Sequence, residues 1–526
     1  MDSFPWLTVL VALPALGALI LALWRPAGPT ARTFALSAAA LELILAVVAA
    51  VSFDFAHAGV VQLTETAAWI PQIGVSWALG VNGLGLVMIL LALALVPLVI
   101  LAFKPAVDDG ESRGSETGYY ALVLALASFM VAIFAARDVF LFYVVFEAML
   151  IPVYFLVGRY GGPKRRAAAI KFLLYSLAGG LIMLVGVVAL YLQGPRGPEG
   201  FLIDSLVGTE LAAGTELAIF ISFFIAFAIK APMVPVHTWL PDTAEQAPAG
   251  TSVLLVGVLD KVGTFGMIAL CLPLFPNASA SAGPVIVILA VISIIWGGLL
   301  AVNERDLLRL VSYTSVSHFG FIVMGIFIGS QIAMTGSMVY MVAHGITTAG
   351  MFFIVDFLAR RGGTVQIPDY RGMQRTTPVL AGLFLFTGLA SIALPGLSGF
   401  VPEYLVLMGT FGANVWAGSF AVAGVIIAAL YVLLPYQRVF TGPRREEGLR
   451  TTADLGAVEK IVMAPLVAAM VLFGVLPSLI IDAVEPVAED TTISTDATLT
   501  DSAAEARALG VESPAVFTLP LERSAK

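Results

Sequence analysis

Residues 217–272 read LAIFISFFIAFAIKAPMVPVHTWLPDTAEQAPAGTSVLLVGVLDKVGTFGMIALCL. Two apolar runs stand in this stretch, and each is close to the roughly 20 residues that cross a hydrocarbon core as a helix. Each also carries a lysine, Lys230 near the end of the first and Lys261 in the middle of the second. Placing an ammonium in that environment costs on the order of several kcal/mol, so a lysine kept there has a task. The stretch therefore reads as part of a helical membrane bundle with a polar interior.

The rest of the chain agrees. Of its 526 residues, 59% are hydrophobic and 12% charged, a balance far from that of a soluble domain. A window of about 20 residues finds fourteen spans. They are Pro5–Trp24, Thr33–Val51, Gly83–Phe103, Tyr119–Ala136, Val139–Val157, Phe172–Leu192, Leu217–Pro235, Thr251–Leu272, Pro284–Val302, Leu307–Ile328, Met334–Leu358, Pro378–Gly412, Trp416–Phe440 and Ile461–Ile481. The first has an acidic flank and no small-residue cleavage site, so it is expected to remain as a helix. The single cysteine, Cys271, excludes a disulfide framework and thiolate iron–sulfur ligation on this chain. A net charge of −8 with no basic tract excludes a nucleic-acid surface.

The basic residues set the expected orientation. If the N-terminus lies outside, the inner loops hold 20 of the 27 lysines and arginines, including Lys164-Arg165-Arg166, Arg360-Arg361 and Arg444-Arg445. Both termini are then outward. The stretch from Asp482 onward is polar and acidic, and is expected to be flexible or to lie along a neighbouring subunit.

Helix 7 ends in KAPMVPVHTWLP and helix 12 contains LPGLSGFVPEYL. Proline removes a backbone donor and clashes with the preceding turn, so Pro232 and Pro235 in one, and Pro395 and Pro402 in the other, predict that both helices open. They are five apart in order, an odd separation that makes them antiparallel and predicts inverted repeats, with helices 4–8 mirrored by helices 9–13. The expected organisation is residues 1–118 for helices 1–3, 119–272 and 283–440 for the two repeats, 461–481 for helix 14, and 482–526 for the tail.

Counting along each helix at 1.5 Å per residue, Glu147, Lys261, His318 and His344 lie roughly 12 to 17 Å in, close to the midplane of a ~30 Å core. Lys230 and Glu403 adjoin the two breaks. Such a row runs along the membrane, so it moves an ion across only if two half-channels open at the breaks. The chemistry suits protons, because desolvation brings buried lysines and glutamates toward neutrality and histidine titrates near neutrality already. Glu147 is expected to pair with Lys230, and the movement of either would change the proton affinity of the other. Thr314 and Ser315 stand four and three residues before His318, and Thr347 and Thr348 three and four after His344, where hydroxyls could extend a wire or simply cap backbone carbonyls.

Asp260 adjoins Lys261 but points about 100° away, so the two are not an obvious pair. His237, in the loop after helix 7, suits an entrance or plain packing. Glu42, in helix 2, could face a neighbouring subunit or a cavity, and Asp356 fits a surface pair with Arg360. Axial haem ligation by His318 and His344 is disfavoured by bulky neighbours such as Phe319. Glu147 alone also fits an ion pair that only ties helices together.

The runs VVFEAMLIPVYFLVGRYGG, KAPMVPVHTWLPDTAEQAPAGTSVLLVGVLDKVGTFG, NERDLLRLVSYTSVSHFGFIVMG and MVAHGITTAGMFFIVD closely resemble the antiporter-like subunits of respiratory complex I, over nearly all fourteen helices. The resemblance implies an all-α, polytopic membrane protein that translocates protons in a bacterial inner membrane. It implies Glu147 and Lys230 as the input pair, Lys261 as central carrier, His318 and His344 as onward links and Glu403 as the outer terminal group. It also implies partners of the L and N types, small membrane subunits, and FMN, iron–sulfur clusters and quinone held by other subunits, with neither cofactor nor metal on this chain. Glu403 is the discriminating position, since the L- and N-type relatives imply lysine there. Mrp-type cation/proton antiporters and membrane-bound hydrogenases share the scaffold and remain the alternative.

Overall fold

The computed structural model describes residues 4–105, 114–443 and 453–492. Helix 1 (Trp6–Trp24), helix 2 (Gly28–Val51), helix 3 (Gly83–Ala102) and helix 4 (Glu116–Ala135) are followed by helix 5, which runs as Val139–Ala148 and Leu150–Tyr160. Helix 6 (Arg165–Gln193), the two parts of helix 7 (Ala213–Lys230 and Trp239–Gln246), helix 8 (Ala249–Leu274) and helix 9 (Pro276–Asn303) come next. Helix 10 (Leu307–Phe327), helix 11 (Gln331–Gly362), the two parts of helix 12 (Pro378–Ser391 and Phe400–Ala413), helix 13 (Val415–Phe440) and helix 14 (Ala457–Val475) complete the bundle. Thirteen helices are long and apolar enough to cross a membrane, and the short halves of helix 12 together supply a fourteenth crossing.

Short loops with polar caps make this order readable. Asp138, Asp306, Ser330 and Asn414 each accept hydrogen bonds from the first free amides of helices 5, 10, 11 and 13. Helices 8, 10 and 11 are almost wholly buried, whereas helices 1, 2, 6, 13 and 14 keep most of their surface outward, as lipid-facing helices do. Glycine allows the tightest contact: a Cβ on Gly297 would lie 2.8 Å from the Ser317 amide, and one on Gly320 would lie 2.6 Å from the Ala290 carbonyl. Helices 9 and 10 therefore meet backbone to backbone.

Both expected breaks are present. Helix 7 stops at Lys230 and resumes at Trp239, with Pro232 and Pro235 between. Helix 12 stops at Ser391 and resumes at Phe400, and within the gap Ala393 and Gly396 take left-handed φ values of 57° and 88°. Pro395 lies in that gap, but Pro402 does not: it sits in the first turn of the resuming helix, where a missing N–H leaves no hydrogen bond unmade.

Four features depart from the sequence reading. A hairpin of Gln62–Ile70 and Val75–Val81, turning through Pro71–Gly74, lies between helices 2 and 3. Helix 5 is interrupted at Met149, two residues past Glu147. Helix 8 contains two π segments, Leu255–Leu259 and Met267–Cys271, on either side of Lys261. Residues 478–492 form one more helix. Its Ile480, Ala483, Val484, Val487 and Ala488 recur at helical spacing and are buried, so this part of the expected tail folds on its own chain; residues 493–526 lie outside the described residues.

Candidate proton pathway

The polar line is assembled from the most enclosed helices. Lys261, between the π segments of helix 8, is fully buried; its Nζ donates to the Val256 carbonyl and lies 2.7 Å from His344 Nδ1 on helix 11. The Phe319 ring covers the ammonium, with its centroid 5.3 Å away. On the far side, His344 Nε2 is 3.2 Å from Ser315 Oγ of helix 10. Ser315 donates its hydrogen to the Val311 carbonyl, so its oxygen accepts from His344 Nε2–H, and His344 Nδ1 is left as the acceptor for the lysine.

The His318 ring stands 5.2 Å from His344, centroid to centroid, with no direct hydrogen bond between them among the described residues. His318 Nδ1 is 2.8 Å from the Tyr340 hydroxyl, and Tyr340 donates to Glu403 Oε2 at 2.8 Å. Tyr340 oxygen thus accepts from His318 Nδ1–H, and His318 Nε2 faces Ser391 Oγ and Tyr431 OH, each at 3.2 Å. Ser391 is the last residue before the helix 12 gap, and Glu403 lies in the first turn after it. The end of the line is therefore attached to both sides of the break.

The input side is arranged differently from expectation. Glu147 makes no direct ion pair with Lys230 among the described residues, and its Oε1 has no hydrogen-bond partner. Its carboxyl lies against helix 6, where a Cβ on Gly180 would be 1.5 Å from Oε1. Lys230 Nζ is held over Phe146 and Phe172, 5.1 and 5.5 Å from their centroids. The two groups thus stand apart, the carboxyl against helix 6 and the ammonium between two aromatic rings.

Below the helix 7 break lies a charged cluster that spacing alone did not reveal. Asp242 receives Lys171 at 2.6 Å and Arg309 at 2.7 Å, and Arg309 also reaches Glu245 at 3.0 Å and Glu304 at 3.4 Å. These partly exposed pairs add little stability each but tie helices 6, 7 and 10 together at the arginine-rich end. His237 is buried beside the cluster, its ring 6.4 Å from that of Tyr313, which fits the entrance position.

Among the hydroxyls, Ser315 joins the line, while Thr314 and Thr347 cap backbone carbonyls. Thr348 is buried nearby without a hydrogen bond to either histidine among the described residues. Asp356 pairs with Arg360 as expected. Glu42 is fully buried within the chain and so faces no neighbouring subunit. Tyr340, Tyr431 and Ser391 escaped the sequence reading. Tyr340 stands four residues before His344 on the same helix, and that spacing was the available signal.

A buried lysine–histidine contact, a histidine–tyrosine–glutamate chain and two interrupted helices define an antiporter-like proton-handling membrane subunit. The chain belongs to the NADH:quinone oxidoreductase/Mrp antiporter transmembrane family, whose pattern matches residues 136–428. Within it, NADH-quinone oxidoreductase subunit M of Mycobacterium tuberculosis is 41% identical over 524 residues, covering 93% of this chain and 94% of the relative. Subunit M of Rhodobacter capsulatus is 37% identical over 494 residues, covering 91% and 95%. A chain in the structure of respiratory complex I from Thermus thermophilus with bound NADH superposes with a TM-score of 0.83 at 32% identity, over 93% of this chain and 99% of that one. The Mrp complex of a Dietzia species shares the fold, with a TM-score of 0.81 at 22% identity over 92% and 97% of the two chains.

Proposed function

We propose that this chain is the M-type, antiporter-like subunit of a complex I membrane arm, the counterpart of mitochondrial NADH dehydrogenase subunit 4. It carries protons outward across a bacterial inner membrane while partner subunits, which hold FMN, iron–sulfur clusters and quinone, oxidise NADH. The observation that carries the proposal is the hydrogen-bonded chain His318–Tyr340–Glu403, joined through the neighbouring His344 to Lys261.

In this reading the arginine-rich end is the inner side, and both described ends of the chain face outward. Protons enter past the Asp242–Arg309 cluster and His237, and load Lys230 while Glu147 closes on it. Lys261 passes a proton to His344 Nδ1 while the Nε2–H stays on Ser315, and the resulting imidazolium hands a proton to the neighbouring His318 ring, which restores neutral His344. At the outer end His318 Nδ1–H goes to Tyr340 as Tyr340 O–H goes to Glu403, so one proton advances and both hydrogen bonds reverse. Glu403 then releases it through the gap in helix 12. Helices 4–8 and 9–13 act as the two inverted halves, with L- and N-type subunits as neighbours.

The test measures NADH oxidation and proton pumping separately in inverted membrane vesicles carrying Glu147→Ala, Lys261→Ala or Glu403→Ala. Each variant is expected to assemble and to lose most pumping. Three assembled variants that pump like the wild type would overturn the relay.

A further inference from the structure

Asp260 is fully buried, and neither of its carboxylate oxygens has a hydrogen-bond partner among the described residues. A carboxyl left this way in an apolar core costs about 1–3 kcal/mol or more, which a packing role does not offset. Its enclosure lies within this one chain, so no neighbouring subunit reaches it. It follows the first π segment of helix 8, with its amide bonded five residues back to the Leu255 carbonyl at 3.0 Å. One turn on, Gly263 touches the helix 7 break, where a Cβ would lie 2.7 Å from the Ala231 amide. Asp260, one turn before Gly263, is thus on the stretch of helix 8 that faces the end of helix 7, immediately before Lys261.

Among the described residues no hydrogen bond links Lys230 to Lys261, and Lys261 is turned the other way, onto His344. We propose that Asp260 is the proton carrier that reloads Lys261 from Lys230, an inference that rests on the relay reading above. An N–H bond of the Lys230 ammonium breaks as an O–H bond forms on Asp260, leaving a neutral amine and a neutral acid. That O–H then breaks as an N–H bond forms on the neutral amine of Lys261, and the carboxylate is restored. One proton has moved, nothing is oxidised, and the lysine stems supply the reach. Lys261 alternates between Asp260, where it loads, and His344, where it unloads.

The experiment uses the intact complex in vesicles. Asp260→Asn keeps the shape but cannot carry a proton, and is expected to slow pumping and coupled NADH oxidation at least about tenfold, with Asp260→Glu restoring most of both. Infrared difference spectra of the complex with carbon-13 aspartate are expected to show a protonated-carboxyl band that rises during turnover. The aspartate component of that band is expected to be absent from Asp260→Glu. This second readout needs only the wild type and Asp260→Glu, so it decides the matter even if Asp260→Asn fails to assemble. Wild-type pumping in Asp260→Asn, or an identical band in Asp260→Glu, overturns the role of Asp260. If Lys261→Ala loses pumping alongside such a result, only this inference falls; if Lys261→Ala pumps normally too, the relay falls with it.

Discussion

Tyr340 donates its hydroxyl hydrogen to Glu403 across 2.8 Å, and the same oxygen lies 2.8 Å from His318. One phenol therefore connects the histidine pair to the terminal carboxylate. Tyr340→Phe removes only that oxygen. Pumping is expected to fall about tenfold or more while the complex assembles, because the ring that fills the core is kept. Glu403 then lacks its donor, which costs about 1–3 kcal/mol and should appear as a lower melting temperature. Unchanged pumping would show that the proton leaves His318 by Ser391 or Tyr431 instead.

Lys261→Arg separates charge from proton exchange. A guanidinium stays protonated at any pH the cell meets, so the cation remains but the carrier is lost. The variant is expected to pump no better than Lys261→Ala, as measured by dye quenching in vesicles alongside NADH oxidation. Near-normal pumping would reduce Lys261 to a fixed charge.

Gly180→Ala tests the resting place of Glu147. The added Cβ would lie 1.5 Å from Oε1, so the carboxyl must leave helix 6. Pumping is expected to drop, and the double variant with Glu147→Ala should pump no worse than Glu147→Ala alone, since both changes act through one side chain. Additive losses would mean that Gly180 matters only for helix packing.

Glu459→Gln addresses the anchoring of helix 14. Arg361 grips Glu459 through two hydrogen bonds of 2.9 and 2.6 Å and also holds the carbonyls of Ala453 and Asp454. Weakening this bidentate pair is expected to cost about 1–3 kcal/mol, read as a lower melting temperature, with pumping per assembled complex unchanged. A pumping defect at constant stability would place helix 14 in the transport cycle.

The fold was largely legible because membranes restrict the vocabulary: apolar length marks a crossing, and the prolines at 232, 235 and 395 mark the gaps. Lys230, Lys261, His318 and His344 stood out because polar groups are costly in a bilayer. Tyr340 did not, because tyrosine is common among apolar residues and its role depends on where one oxygen points. The geometry between Glu147 and Lys230 was likewise hidden, since it depends on the groove that Gly180 opens on a third helix. The interruption at Met149 had its mark in Pro152, whose missing N–H leaves the Ala148 carbonyl unpaired, but apolar length alone passed over it; the first π segment of helix 8 carries no proline. The helix at 478–492 did have an apolar stripe, which an overall acidic composition obscured.

That last helix closes the molecule in an unexpected place. Its Ala483 carbonyl lies so near the first residue of helix 3 that a Cβ on Gly83 would be 1.7 Å from the oxygen. The two residues are about four hundred positions apart in the chain. The contact therefore cannot form until about four hundred further residues have been made, so helix 3 waits in the bilayer with its first turn uncovered. Synthesis of the helix at 478–492 is itself the step that covers it.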